Sequence, residues 1–110
     1  MSESKVQEIA GGEFEAAAGQ APGYTVVDFY ATWCPHCKSF RPTFEEVAGS
    51  YAKPVKFCAA DVEQHGDAAR KYGVRSIPTV VLLKDGEQVD IHVGGMQAAQ
   101  LVEWLDAKCE

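Results

Sequence analysis

The chain has 110 residues, enough for one domain that buries a core without metal or disulfide staples, and 46% hydrophobic against 24% charged residues exclude a disordered or fibrous chain. A formal net charge of −6, with no cluster of Lys and Arg, argues against a nucleic-acid backbone as partner. No apolar stretch approaches the ~20 residues of a membrane span, and Met1 to Ala10 lacks the basic-then-apolar order of a secretory leader, so a cytoplasmic protein that binds no membrane is expected.

In chain order, Val6 to Ile9 alternates weakly and reads as a short edge strand. Glu13 to Ala18 has the Ala and Glu content of a helix, ended by Gly19 to Gly23 with Pro22. Tyr24 to Tyr30 is β-branched and aromatic with almost no alternation, which predicts a central strand covered on both faces. From Cys34 to Tyr51, Phe40, Phe44, Val47 and Ala48 recur at helical spacing, and Pro42 is expected to kink that helix. Pro54 bars its continuation. Val55 to Val62 reads as a second buried strand, and Asp67 to Tyr72 as a short helix stopped at Gly73. Thr79 to Lys84 and Glu87 to Val93 flank Asp85-Gly86, a strong hairpin signal, before Gly94-Gly95 breaks the sheet. Met96 to Lys108 is an amphipathic helix with Ala98, Leu101, Val102 and Leu105 on one stripe. Strands alternating with helices and closing in a hairpin predict an α/β fold over residues 1–110, a central mixed β-sheet with helices on both faces.

Trp33-Cys34-Pro35-His36-Cys37-Lys38 lies just past the end of the Tyr24 to Tyr30 strand, where open α/β sheets carry their sites. Two cysteines separated by two residues close a small disulfide where the backbone turns into a helix, and the pattern reads as a dithiol redox site working by thiol–disulfide exchange. A structural disulfide or half a zinc site is the competing reading, and it needs further ligands at suitable spacing. The remaining two of four cysteines, Cys58 and Cys109, share no motif: Cys58 is expected to be an inert core residue and Cys109 to be incidentally exposed near a frayed end. Trp104 reads as a packing residue of the last helix, and His65 and His92 have no usable partner spacing.

Val27-Asp28-Phe29-Tyr30-Ala31-Thr32-Trp33-Cys34-Pro35-His36-Cys37-Lys38, Pro42, Lys71 to Thr79, Lys84-Asp85-Gly86 and Gly94 together resemble the thioredoxin family, in order and over nearly the whole chain. The resemblance implies a thioredoxin fold, protein disulfide substrates, a cis bond before Pro78, and electrons from a thioredoxin reductase-like donor. Two departures stand out. Pro35-His36 replaces the usual Gly-Pro between the cysteines and is similar to the pair in the periplasmic oxidase DsbA. Register counted back from Lys71-Tyr72-Gly73 places Ala59 where many thioredoxins carry a lysine near the buried aspartate.

Cys34 is then the expected nucleophile, at a helix N-terminus where free N–H groups and the dipole favour the thiolate, and it needs a surface position. Cys37, one turn inward, resolves the mixed disulfide. The resemblance gives Asp28 the task of accepting the Cys37 proton; an unpaired carboxylate inside an apolar strand is also expected to hold its proton unusually well. Pro35 and His36 are expected to tune the redox potential, His36 by stabilising the Cys34 thiolate. Trp33, Ile77, Pro78 and Gly94 form the expected substrate surface, with the Ile77 backbone pairing an extended peptide.

The expected function is reduction of protein disulfides by a monomeric carrier with no bound cofactor or metal, more oxidising than an ordinary thioredoxin. A dithiol oxidase or isomerase, and a thioredoxin-like protein-binding module, are the alternatives.

Overall fold

A computed structural model of the chain describes residues 5–109. Its strands are β1 (Val6–Glu8), β2 (Tyr24–Tyr30), β3 (Val55–Asp61), β4 (Thr79–Lys84) and β5 (Glu87–Val93), and its α-helices are α1 (Pro35–Ser50), α2 (Gly66–Lys71) and α3 (Ala98–Lys108). The strands form one sheet in the order β1-β3-β2-β4-β5. β2 runs parallel to β3 and antiparallel to β4, so the sheet is mixed, as expected.

The apolar run of β2 reflects its central place: Val26, Val27 and Phe29 are wholly buried. Because successive side chains point to opposite faces, the strand feeds two cores. Val27 and Phe29 pack with Phe14, Ala17, Ala18, Ala69 and Tyr72 on one face, while Val26 packs with Phe40, Phe44, Val47, Leu101 and Leu105 on the other. α1 and α3 therefore cover one face, and α2 with the segment before β2 covers the other. Each large side chain so buried contributes about 1.5–3 kcal/mol of transfer free energy. α1 stays helical from Pro35 to Ser50 straight through Pro42, although proline offers no N–H to the Lys38 carbonyl.

Two expectations are corrected. The helix expected over Glu13 to Ala18 is instead a π-helical turn at Glu15–Gly19, with the Gln20 N–H donating to the Glu15 carbonyl at 2.7 Å. The wider turn turns Ala17 and Ala18 into the core and presses the Gly19 backbone against the β4–β5 hairpin. Cys109 is buried rather than exposed: it continues the Leu101–Leu105 stripe at four-residue spacing into the α1/α3 core, and Lys53 Nζ ties its carbonyl at 3.2 Å. Cys58 lies wholly buried in β3, and burial pushes its thiol up to about 11.

The hairpin turn places Asp85 at φ 51° and Gly86 at φ 83°, the left-handed pair that a two-residue turn requires. A Cβ on Gly86 would stand 2.0 Å from the Gly19 carbonyl oxygen, whereas one on Gly23, at φ 76°, would meet nothing within 4 Å. Gly23→Ala is expected to cost about 1 kcal/mol, the penalty of a left-handed alanine alone. Gly86→Ala adds a backbone collision, so its urea midpoint is expected to fall clearly below that of Gly23→Ala. Equal midpoints would show that the Gly19–Gly86 contact relaxes freely.

Candidate active site

β2 ends at Tyr30, and the chain turns through Ala31, Thr32 and Trp33 into α1. Cys34 is the N-cap of that helix: its backbone is extended (φ −90°, ψ 112°), its sulfur accepts the Cys37 N–H at 3.2 Å, and Pro35 follows in the first turn. An N-cap must satisfy an orphan N–H, and here a sulfur does so at the positive end of the helix dipole. Cys37 lies one turn further in, and Ala31, Tyr30, Val62 and Ile77 pack around the two thiols.

The surface position expected for Cys34 is corrected to near-complete burial, at 4% exposure, because Ala31 and the Ile77 segment close over it. Cys34 Sγ lies 4.0 Å from the Ile77 carbonyl oxygen. The Ile77–Pro78 bond is cis, as the resemblance implies, and the Pro78 carbonyl accepts the Gly94 N–H at 2.8 Å. Cys37 is held well above the ordinary thiol range, first by burial and then by its hydrogen bond to Cys34; the negative charges of Cys34 and Asp28 act in the same direction.

The residues chosen from the sequence as a docking surface come together around this point. A cleft of about 400 Å³ runs between the start of α1 and the β5–α3 connection, lined by His36, Phe40, Thr43, Ile77, Pro78, Gly94 and Met96. A smaller one of about 230 Å³ lies on the other side, between Trp33, Val62, Val74 and Ile77. Ile77 borders both. Trp33 is 64% exposed and forms an apolar rim, while Pro35 and His36 are exposed at the helix start. Among the described residues, the Cys34 sulfur accepts from the Cys37 N–H and not from His36. Thr43 and Met96 were not singled out in the sequence, and Phe40 was read only as a core position of its helix; Phe40 stands three residues beyond Cys37 and four beyond His36, and Thr43 seven beyond His36, on one helix face.

Asp28 lies in the middle of β2 on the α1 side, wholly buried, and neither carboxyl oxygen has a hydrogen-bond partner among the described residues. Its neighbours in register are Ala59 on β3 and Val80 on β4, so the two flanking strands set no charged residue opposite it. The Arg41 guanidinium, with Nε 3.6 Å from Oδ2, reaches it from α1. Burial pushes the Asp28 carboxyl up from 3.8 to about 7, with the Arg41 charge opposing the rise and Glu8 adding to it. The sequence reading missed Arg41, although it stands four residues after Cys37 and so on the same helix face. His65 and His92 are not part of the site: the His65 ring bonds the Ile9 carbonyl at 2.8 Å, and His92 packs on the edge of Trp104, whose indole N–H donates to Asp90.

The thioredoxin family model matches residues 5–107. A thioredoxin of Pseudomonas aeruginosa is 39% identical over 107 residues, covering 97% of this chain and 98% of the relative. One of Staphylococcus epidermidis is 45% identical over 84 residues, covering 76% and 81%. Among solved structures, the crystal structure of the Malassezia sympodialis thioredoxin fits with a TM-score of 0.83 at 31% identity, covering 98% of this chain and 94% of the other.

The buried carboxyl has a measurable consequence for stability. A carboxyl that holds its proton to about pH 7 in the folded state but loses it near pH 3.8 when unfolded stabilises the protein fully below pH 3.8, and that contribution is lost as pH rises towards 7. The span corresponds to about 4 kcal/mol. Asp28→Asn removes this titration, so its stability advantage over wild type is expected to grow by a few kcal/mol between about pH 4 and about pH 8, read from urea unfolding across pH. A constant difference over that window would mean that Asp28 titrates as an ordinary carboxyl.

Proposed function

From the premise that the chain belongs to the thioredoxin family and is a protein disulfide oxidoreductase with the family's mixed-sheet fold, we propose that it reduces protein disulfides through Cys34 and Cys37. The observation that carries this reading is the N-cap: Cys34 sits where the Cys37 N–H and the helix start favour negative charge on its sulfur, with Cys37 directly behind it and a buried carboxyl beyond. Family membership gives it protein disulfide substrates and a reductase partner in general. A single-domain, monomeric, cytoplasmic carrier without cofactor or metal completes the proposal. Among the described residues, no helix is long and apolar enough to cross a membrane.

In the first step the Cys34 thiolate attacks one sulfur of a substrate disulfide, forming a mixed disulfide and releasing the other substrate sulfur as a thiolate that takes a proton from water. Cys37 then passes its proton to the Asp28 carboxylate, and the resulting thiolate attacks Cys34 Sγ. The Cys34–substrate bond breaks, the Cys34–Cys37 bond forms, and the second substrate thiolate leaves. Two electrons have moved from the dithiol to the substrate, and a reductase protein returns them. A base is needed at this step because burial makes Cys37 reluctant to ionise.

The substrate lies in the cleft along Ile77, Pro78 and Gly94, with Trp33 as its apolar rim. Strand-like pairing to the Ile77 backbone brings the substrate disulfide to Cys34. Since Cys34 is only 4% exposed, this docking places the target sulfur over a small opening, which favours extended, accessible disulfides over crowded ones.

Pro35 and His36 raise the reduction potential. A positive or donating His36 favours negative charge on the Cys34 sulfur of the reduced form and so makes the disulfide a stronger oxidant. Potentials of about −270 mV for thioredoxin and about −120 mV for DsbA bracket the expectation, and a rise of about 60 mV amounts to about 2.8 kcal/mol for two electrons. Equilibration with glutathione buffers is expected to give a reversible Cys34–Cys37 couple above about −270 mV, lowered by His36→Ala. A value at or below that of thioredoxin removes the tuning role, while one close to DsbA turns the preferred direction towards oxidation or isomerisation.

A further inference from the structure

Asp28 is a buried acid whose two flanking strands set no compensating charge opposite it, since Ala59 and Val80 flank it in register. The nearest cation comes from the helix above it. Arg41 Nε stands 3.6 Å from Asp28 Oδ2, and the same guanidinium reaches Glu8 at 3.5 Å and Glu45 at 3.9 Å. It is also held from the side, with its carbon 4.6 Å from the centre of the Tyr30 ring, whose hydroxyl donates to Glu8 at 2.5 Å. Burial works against the Arg41 charge, but the Asp28 and Glu8 carboxylates more than offset it, so the group stays a cation throughout the working range.

The guanidinium thus joins two regions. Its inner edge faces a carboxyl with no other polar partner among the described residues, and its outer edge is gripped at the surface by β1 and by the end of β2. A cleft of about 240 Å³, lined by Tyr30, Ala31, Thr32, Cys37, Lys38 and Arg41, opens beside the guanidinium and is large enough for several waters next to Cys37 and Arg41.

We propose that Arg41 is a positioning residue for the Asp28 carboxyl: it supplies from α1 the counter-charge that β3 and β4 lack, while the Tyr30 ring steadies it from the side, and it thereby sets the pH above which Asp28 is ionised and able to receive the Cys37 proton. The groups that face Asp28 are Arg41 and Cys37 from α1, Glu8 from β1 and Tyr30 from its own strand, with only neutral Ala59 and Val80 from β3 and β4. Arg41 is the cation among them. Glu8 acts twice, by opposing the ionised carboxyl and by drawing the guanidinium outward. The inference rests on the proposed role of Asp28 as proton acceptor, and its test separates the two.

The carboxyl carbon of Asp28 is followed by NMR in the reduced protein from about pH 5 to about pH 9, and single-turnover reduction of insulin by the same pre-reduced protein is followed over the same range. Arg41→Met is expected to raise the Asp28 midpoint by about one pH unit or more and to slow reduction about tenfold on the acid side, with the rate profile moving alkaline by the same amount. Arg41→Lys is expected to return both towards wild type, because a charge on a flexible stem still reaches the carboxyl. Glu8→Gln is expected to lower the Asp28 midpoint, a sign opposite to that of Arg41→Met and one that loosened packing would not give. An unchanged Asp28 midpoint in Arg41→Met, or a lysine variant indistinguishable from methionine, overturns the role of Arg41. A midpoint that moves while the rate profile stays fixed overturns Asp28 as the proton acceptor and, with it, the catalytic part of this inference.

Discussion

The hydrogen bond from the Cys37 N–H to the Cys34 sulfur decides where everything else in the site must stand. It makes a thiol the cap of a helix, which fixes the sulfur at the positive end of α1 and fixes Cys37 one turn behind it. The cap is held in register because β2 is buried on both faces and admits no slippage: a shift of one residue would exchange the Val27–Phe29 core for the Val26–Asp28 face. The rigid strand therefore delivers the cap, and the cap delivers the dithiol. The segment at Ile77 closes over the same sulfur, so the proposed nucleophile is sheltered on one side by its own strand end and on the other by the proposed docking surface.

The site carries a cost in stability that the fold absorbs elsewhere. A carboxyl with no hydrogen-bond partner among the described residues lies in the centre of the sheet, and a thiol that resists ionisation lies beside it. Asp28, once ionised, makes Cys37 harder to charge, which is a poor arrangement for a core and a suitable one for the proposed passage of a single proton between them. The two apolar cores on either side of β2, together with the tight hairpin at Asp85 and Gly86, supply the stability that lets this pair persist. Cys58 and Cys109 lie in the two apolar cores on either side of β2, away from the cap.

Much of this was legible in the residues themselves. The unbroken apolar run of β2, the Asp85-Gly86 turn and the cysteine spacing are local signals whose physics does not depend on distant parts of the chain, whereas the cis bond before Pro78 came from the family resemblance. The neutral residue near Asp28 was reached through the resemblance, by counting back from Lys71-Tyr72-Gly73 to Ala59, and the strand pairing sets Ala59 opposite Asp28. What escaped were features set by packing. The π-helical turn at Glu15–Gly19 arises where a short helix meets a hairpin far along the chain, and alanine content says nothing of that meeting. Cys109 was misread because burial at a chain end depends on which neighbour the last helix covers. Cys34 was expected at the surface because reactivity needs access, yet the loop that shelters it also shapes the docking surface. Arg41 drew no notice in the sequence because its partner lies on a different element, and only the fold brings the two together.

The central claim is the order of events: Cys34 attacks and Cys37 resolves. Its most direct test is to mix reduced Cys37→Ser and, separately, Cys34→Ser protein with a protein disulfide substrate under non-reducing conditions and identify covalent adducts by mass spectrometry. The account predicts a stable mixed disulfide through Cys34 in the Cys37→Ser protein and none through Cys37 in the Cys34→Ser protein. Adducts through Cys37, or none in either variant, would contradict it.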